Sequence, residues 1–236
     1  MSEWKAKRFW DTAQVTEETS GFGVALDGRP VKTPAKAQLL VPTRALAEAV
    51  AAEWDAQQGE IDPNAMPATR AANAAIDKVA HQRDEVADMI ADYGDSDLLC
   101  YRADAPAGLI ERQAGAWDPL LDWAAMTFGA HLRPVVGVMH HPQNKAALGA
   151  LSAEVHGMDI FALTAVHDLV SLSGSLIIGL AAVHDVRPVQ ELWQASRVDE
   201  TWQAELWGFD EEARDHAARK ESDFMNAKKF HDLSRR

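Results

Sequence analysis

Cysteine and positive charge are scarce in this sequence, and each shortage excludes a class of protein. Cys100 is the single cysteine among 236 residues, so no intramolecular disulfide can form and a reducing compartment is expected. Lys and Arg number 23 against 36 Asp and Glu, which gives a formal net charge of −13. General nucleic-acid binding relies on cations that neutralise phosphates, so we expect no nucleic-acid partner.

Long apolar runs are also missing. The N-terminus carries several charges and lacks the apolar core of a secretory signal. The longest apolar run, residues 169–183, contains serines and glycines and is shorter than the roughly 20 residues that a membrane span needs. We therefore expect a cytoplasmic protein without membrane insertion, and we interpret residues 160–183 as a buried central helix.

Motifs of common catalytic sites are absent as well. The sequence has no His-Glu-x-x-His or Cys-x-x-Cys metal spacing, no Gly-x-Ser-x-Gly and no glycine-rich phosphate loop. His140 and His141 are adjacent, and in a strand they would point to opposite faces, which does not favour a shared metal. We predict a protein that is not an enzyme, with no catalytic residue, no metal site and no cofactor.

The first 42 residues are rich in signals for strands. Asp27 and Gly28 stand between two short strand-like runs, and this pair is typical of a two-residue hairpin turn because both residues accept positive φ. Pro30 cannot donate to a sheet ladder, so its strand is expected at an edge. Thr43 then has the character of a helix N-cap. These signals predict a small antiparallel sheet followed by a helix.

The remainder of the chain is predicted to be helical. The sequence contains 42 alanines, and alanine is the strongest helix former. A connector with two prolines, residues 61–67, is the candidate boundary between domains. The predicted fold class is α+β, with a small β-rich domain at residues 1–60 that ends in a helix, and a larger, mostly helical domain at residues 61–236.

Acidic residues recur along one predicted helix. Asp84, Asp88 and Asp92 follow one another at intervals of four, so their side chains share a helical face. Such a face is usually solvated, but it would also suit Mg²⁺ in an all-helical nucleotide pyrophosphohydrolase. A metal-dependent hydrolase of that kind is therefore the alternative function.

Ordered matches along nearly the whole chain give a more specific indication. They comprise RFW at 8–10, LDGRPVKTP at 26–34, Glu53-Trp54 with Gln57, Met66-Pro67 with Thr69-Arg70, AID at 75–77, Tyr93-Gly94, DLLCYRA at 97–103, Arg112-Gln113, WDPLLDW at 117–123, LSGSL at 172–176, Asp199-Glu200 with Trp202-Gln203, and Trp207-Gly208. Together they resemble the assembly chaperone family that binds the alpha subunit of the F-type ATP synthase catalytic head.

The resemblance implies a function without catalysis. Members of that family hold the unassembled alpha subunit and prevent its aggregation before it pairs with the beta subunit. The implied fold, a small N-terminal β domain and a helical C-terminal domain, agrees with the one predicted from the residues. Mitochondrial members carry a targeting extension. The sequence shows none, so we expect it to resemble a bacterial, cytoplasmic member.

One acidic and aromatic segment is the predicted client-binding surface. Aromatic rings beside charges are typical of interface hot spots, although a tryptophan taken singly is more typical of a core. The candidate partner-binding residues are Asp199, Glu200, Trp202, Glu205, Trp207 and Asp210. Glu200 is the leading candidate, because the resemblance includes it and because Ala204, four residues on, offers no basic partner.

Overall fold

The computed structural model describes residues 7–208 and 211–235 of the chain. A small antiparallel sheet occupies the N-terminal part, and mostly helical structure follows it. The predicted α+β fold class is thereby confirmed. Among the described residues, no helix combines the length and the apolar character needed to cross a bilayer.

The N-terminal sheet has four strands. They are β1 (Ala13–Glu18), β2 (Gly21–Leu26), β3 (Arg29–Pro30) and β4 (Leu40–Val41). Strand β2 pairs with β1 along its whole length, while β3 and β4 pair with its two ends, and every pairing is antiparallel. Pro30 lies in the edge strand β3, as its missing N–H requires.

The hairpin turn between β2 and β3 has the predicted geometry. Asp27 has φ 47° and Gly28 has φ 79°, so both central residues are left-handed. The Asp27 carboxylate also accepts hydrogen bonds from the backbone N–H groups of Thr12 and Asp11. These bonds, that from Thr12 first, lower the pKa of Asp27, because they stabilise its charged form.

Ten α-helices occur among the described residues. They are α1 (Arg44–Asp55), α2 (Pro67–Asp77), α3 (Arg83–Ala91), α4 (Ala107–Phe128), α5 (Lys145–His156), α6 (Ile160–Ser173), α7 (Leu176–Val183), α8 (Val189–Ala195), α9 (Val198–Trp207) and α10 (Glu211–Ser234). Two further strands, β5 (Tyr101–Arg102) and β6 (Val135–Val136), form a short parallel pair.

The chain forms two compact units. The first contains the described residues up to Arg83, together with residues 160–165 and 229–235, and the second contains residues 84–159 and the described part of 166–228. The contact pattern thus divides the chain elsewhere than at the predicted boundary near residue 60. That boundary stays a prediction.

The core of the first unit joins the sheet to α1. Leu46 and Val50 of α1 are fully buried against Val24, Leu39 and other apolar residues of the sheet. Thr43 caps α1 by accepting a hydrogen bond from the backbone N–H of Leu46, as predicted.

Glu53 of α1 caps the following helix. Its carboxylate accepts hydrogen bonds from the backbone N–H groups of Ala68 and Thr69, at 2.7 and 2.8 Å, and from the Thr69 hydroxyl at 2.7 Å. Those N–H groups belong to the first turn of α2 and have no partner within the helix. One negative side chain therefore satisfies the positive end of α2 and fixes it to α1.

In the second unit, α7 is the most deeply buried helix. All residues from Leu176 to Ala182 are buried. The prediction of one continuous helix over residues 160–183 is wrong, because the chain breaks at Gly174, which has φ 75°. Ser175 then caps α7 by accepting a hydrogen bond from the backbone N–H of Ile178 at 3.0 Å.

The start of α7 is held by a buried carboxylate. Asp97 is fully buried and accepts hydrogen bonds from the Ser175 hydroxyl at 2.7 Å and from the backbone N–H groups of Ile177 and Leu99, each at 3.0 Å. Burial raises the pKa of Asp97 to about 6, although these donors favour the charged form. Asp97 thereby ties residues 97–100 to the first turn of α7.

We predict that the Glu53 cap stabilises the first unit measurably. Glu53→Ala should lower the free energy of unfolding by about 1–2 kcal/mol, the usual cost of losing an N-terminal cap. The control is Glu48→Ala, which removes an exposed carboxylate from the same helix and should change stability by less than about 0.5 kcal/mol. Chemical denaturation of both variants is the measurement, and equal losses would contradict the capping role.

We also predict that Asp97 gives stability a distinct dependence on pH. Its native pKa of about 6 lies above the ordinary value of 3.8. The native state therefore binds more protons than the unfolded state between these values, and stability falls as pH rises through that window, by about 2–3 kcal/mol. Asp97→Asn should remove this decline while lowering stability overall. Denaturation at stepped pH tests it, and parallel pH profiles for both proteins would refute it.

Candidate partner-binding surface

Helix α9 places the predicted client-binding residues on two faces. Asp199, Trp202 and Glu205 recur at intervals of three, whereas Glu200 and Trp207 are seven apart. At 100° per residue, the centres of these two groups lie on roughly opposite sides of the helix. The structure therefore separates the residues that were predicted as one surface, and Asp210 lies outside the described residues.

The first face of α9 packs against α4. A Cβ atom at Gly108 would lie 2.9 Å from Cη2 of Trp202, so the absence of a side chain at Gly108 admits the indole ring. The Arg112 guanidinium stacks over the same ring at 4.9 Å, and its Nη1 lies 2.9 Å from both carboxylate oxygens of Glu205. Donation from Arg112 lowers the pKa of Glu205. Trp202 and Glu205 thus have partners within the chain.

Asp199 is tied to α4 as well. Its Oδ1 accepts a hydrogen bond of 2.7 Å from Nε2 of Gln113, a buried amide. The Oε1 atom of Gln113 in turn accepts a hydrogen bond from the backbone N–H of Ala103 at 2.8 Å. The side chain of Asp199 is half-buried, and its position is set by this network.

The second face of α9 carries Glu200. Ala204 at i+4 offers Glu200 no partner, but Arg197 lies three residues before Glu200 and its Nη1 donates a hydrogen bond to Oε1 at 2.9 Å. Position i−3 is as close a neighbour on a helix as position i+4. The Glu200 side chain nevertheless remains 59% exposed.

Helices α8, α9 and α10 enclose a groove of about 600 Å³ beside this face. Trp193 of α8 lies at its buried side, with the Arg197 guanidinium stacked over the ring at 4.9 Å. Ala213 and Ala217 of α10 line it with small side chains. Trp207 stands at its rim with 86% of its surface exposed, so it is not one of the tryptophans that form the core.

The segment around the groove is exposed over two helices. Leu206 and Trp207 are exposed at the end of α9, and residues 211–219 of α10 are exposed on every side of the helix. We call residues 200–208 with 211–219 the exposed arm. Large exposed apolar side chains beside charges are typical of a protein interaction site.

Other candidate residues do not come together. Asp88 of the acidic helix pairs with His156 at 3.0 Å, and His140 pairs with Asp95 at 3.2 Å. Across residues 7–208 and 211–235, no three histidine, cysteine or acidic side chains are grouped so as to hold a metal ion. Burial, with Asp97 nearby, raises the pKa of Cys100 to about 12, which keeps its thiol protonated.

Sequence reasoning missed the residues that support α9. Gln113 stood out only as part of the Arg112-Gln113 match to the family, and the sequence did not reveal the supporting role of Gln113 or of Trp193, because both roles depend on helices that are distant in sequence. Arg197 could have been found, since the i−3 spacing to Glu200 is visible in the sequence. The groove itself depends on the packing of three helices and has no local signature.

We predict that the two tryptophans of α9 differ in their effect on the helix. Trp202→Ala should remove the contact with α4 and accelerate amide hydrogen exchange over residues 201–207, because local opening becomes easier. Trp207→Ala makes the same chemical change at an exposed ring and should leave the free energy of unfolding within about 0.5 kcal/mol. Hydrogen exchange measured by mass spectrometry reports the opening of α9 in both variants. Equal acceleration over residues 201–207 in Trp202→Ala and Trp207→Ala would refute the two-face description.

Comparison with known proteins assigns the chain to a family. The model of the ATP12 chaperone protein family matches residues 7–125. The crystal structure of Atp12 from Paracoccus denitrificans matches this chain with a TM-score of 0.95. The two sequences are 52% identical, and the match covers 99% of this chain and 100% of that chain. The Atu1473 protein from Agrobacterium tumefaciens is 40% identical with a TM-score of 0.92, over 96% of this chain and 85% of that one. This chain therefore belongs to the ATP12 chaperone family, the assembly chaperones of the ATP synthase.

Proposed function

We propose that this chain binds the unassembled alpha subunit of the F-type ATP synthase catalytic head and prevents its aggregation, without catalysing a reaction. The observation that carries the proposal is the exposed end of α9, where Leu206 is 59% and Trp207 is 86% exposed next to the partly exposed Glu200. Family membership supports a role in ATP synthase assembly. The cytoplasm is the proposed site of action.

A ring subunit that awaits its neighbours needs this kind of partner. Its unpaired interface exposes apolar surface, and such surface promotes aggregation. A chaperone can cover it with an aromatic anchor inside a polar rim, which Trp207 and Glu200 would supply. Release needs no nucleotide hydrolysis if the next subunit competes for the same surface.

Contacts between one face of α9 and α4 hold the opposite face in position for binding. Asp199, Trp202 and Glu205 hold the helix to α4, so the helix is ordered before any partner arrives. An ordered surface loses less conformational entropy on binding than a flexible one. We therefore assign client contact to Glu200 and Trp207, and we assign Asp199, Trp202 and Glu205 a supporting role in the same surface.

Charge reversal at Glu200 tests this assignment. Glu200→Lys should reduce co-purification of the alpha subunit by about tenfold at low salt and less at high salt, because screening weakens contacts between charges. The fold should persist, since Arg197 keeps its stacking on Trp193 and its hydrogen bond to the Ser196 hydroxyl.

Two controls make the result decisive. Glu85→Lys reverses an exposed acid on α3, which does not line the groove, and should leave co-purification unchanged. Melting curves establish whether each variant is folded. Full binding by folded Glu200→Lys would remove Glu200 from the interface, and failure of the unaltered protein to capture the alpha subunit would refute the proposed function. Titration with Mg²⁺ and nucleotides should give no heat and no hydrolysis.

A further inference from the structure

We propose that the groove between α8, α9 and α10 receives a basic amphipathic helix of the client, with its apolar side chains seated against Trp193 and Trp207. This inference rests on the proposed function and specifies which kind of client segment is bound. The groove volume of about 600 Å³ falls within the range of about 300–1,000 Å³ that is typical of pockets which bury a ligand.

The lining of the groove suits an apolar helical face. Ala204 of α9 stands opposite a row on α10 that contains Ala213 and Ala217, which are one helical turn apart. Their small side chains leave room for larger ones, while Trp207 offers exposed aromatic surface and the buried Trp193, beneath the Arg197 guanidinium, forms the floor of the groove. A groove of this kind between two helices accommodates an amphipathic helix with anchors at intervals of three and four residues.

The charges around the groove favour an occupant of positive charge. The lining itself is balanced, because Glu200 and Glu221 are matched in number by Arg197 and Arg214. Beyond the lining, the exposed residues 211–219 of α10 add three acids, Glu211, Glu212 and Asp215, against one arginine, Arg219. This acidic surround attracts lysine and arginine on the polar side of a bound helix and repels an acidic one.

The same charge argues against a second copy of the chain as the occupant. The protein carries a formal net charge of −13, so two copies that met through their exposed arms would repel each other. A client segment with apolar anchors and basic flanks satisfies both the groove and its surroundings.

Site-directed photo-crosslinking identifies the occupant directly. A benzophenone amino acid introduced at Ala213, on the exposed rim, should crosslink to the alpha subunit in the purified complex. Mass spectrometry should locate the adduct in a segment of net positive charge with apolar residues at helical spacing. The same group at Glu85 on α3 is the control and should not label that segment.

A filling substitution gives an independent test. Ala217→Trp should occupy the groove and lower affinity for the alpha subunit by about tenfold, whereas Ala217→Ser should stay within about twofold of the unaltered protein. If Ala217→Trp fails to fold, the crosslinking result decides alone. An adduct in an acidic client segment, an adduct between two copies of this chain, or a complex that forms without crosslinking at Ala213 would each overturn the groove proposal. The Glu200 result and alpha-subunit capture would still decide the proposed function separately.

Discussion

The second unit depends on one buried carboxylate. Asp97 accepts hydrogen bonds from the Ser175 hydroxyl and from the backbone N–H groups of Leu99 and Ile177. These bonds stabilise the first turn of the buried helix α7, directly after the chain break at Gly174. Without Asp97, the buried N–H group of Ile177 in the first turn of α7 would lose its acceptor, which costs about 1–3 kcal/mol. Burying the carboxyl group of Asp97 has a free-energy cost of its own, and the raised pKa of Asp97 reflects this cost. The most apolar helix of the protein is therefore positioned by its most deeply buried acid.

The stretches that resemble the family include many such ties. Glu53 caps α2, Asp77 holds the backbone N–H of Ala35, Asp97 caps α7, and Gln113 links Ala103 to Asp199. In each case a side-chain oxygen accepts a hydrogen bond from a backbone N–H group that lies ten or more residues away in the sequence. The residues that carry the resemblance therefore include many that hold the fold together, beside those of the proposed binding surface. This explains why motif residues such as Asp199 face the interior of the fold although they lie in the predicted site.

Local signals allowed much of the fold to be predicted. The Asp27-Gly28 turn and the Thr43 cap depend on neighbours a few residues away, and both appear as expected. The break at Gly174 could not be predicted, because the acid that satisfies the new helix start lies 78 residues earlier, at Asp97. The site follows the same rule. Residue type marked α9 as a candidate, but only the packing on α4 shows which of its faces is already occupied.

Helix α9 combines stability with an exposed aromatic surface, the proposed interaction surface, because its two faces serve the two purposes separately. The face with Trp202 fits against Gly108, and Arg112 links that ring to Glu205. Within residues 7–208 and 211–235, nothing comparable covers the face with Trp207, and the neighbouring first half of α10 is exposed as well. A helix this open would be marginal in isolation, since tertiary packing supplies most helical stability. The anchoring face therefore makes an ordered, uncovered aromatic surface possible, and this order is what a chaperone needs in order to bind its client without folding around it.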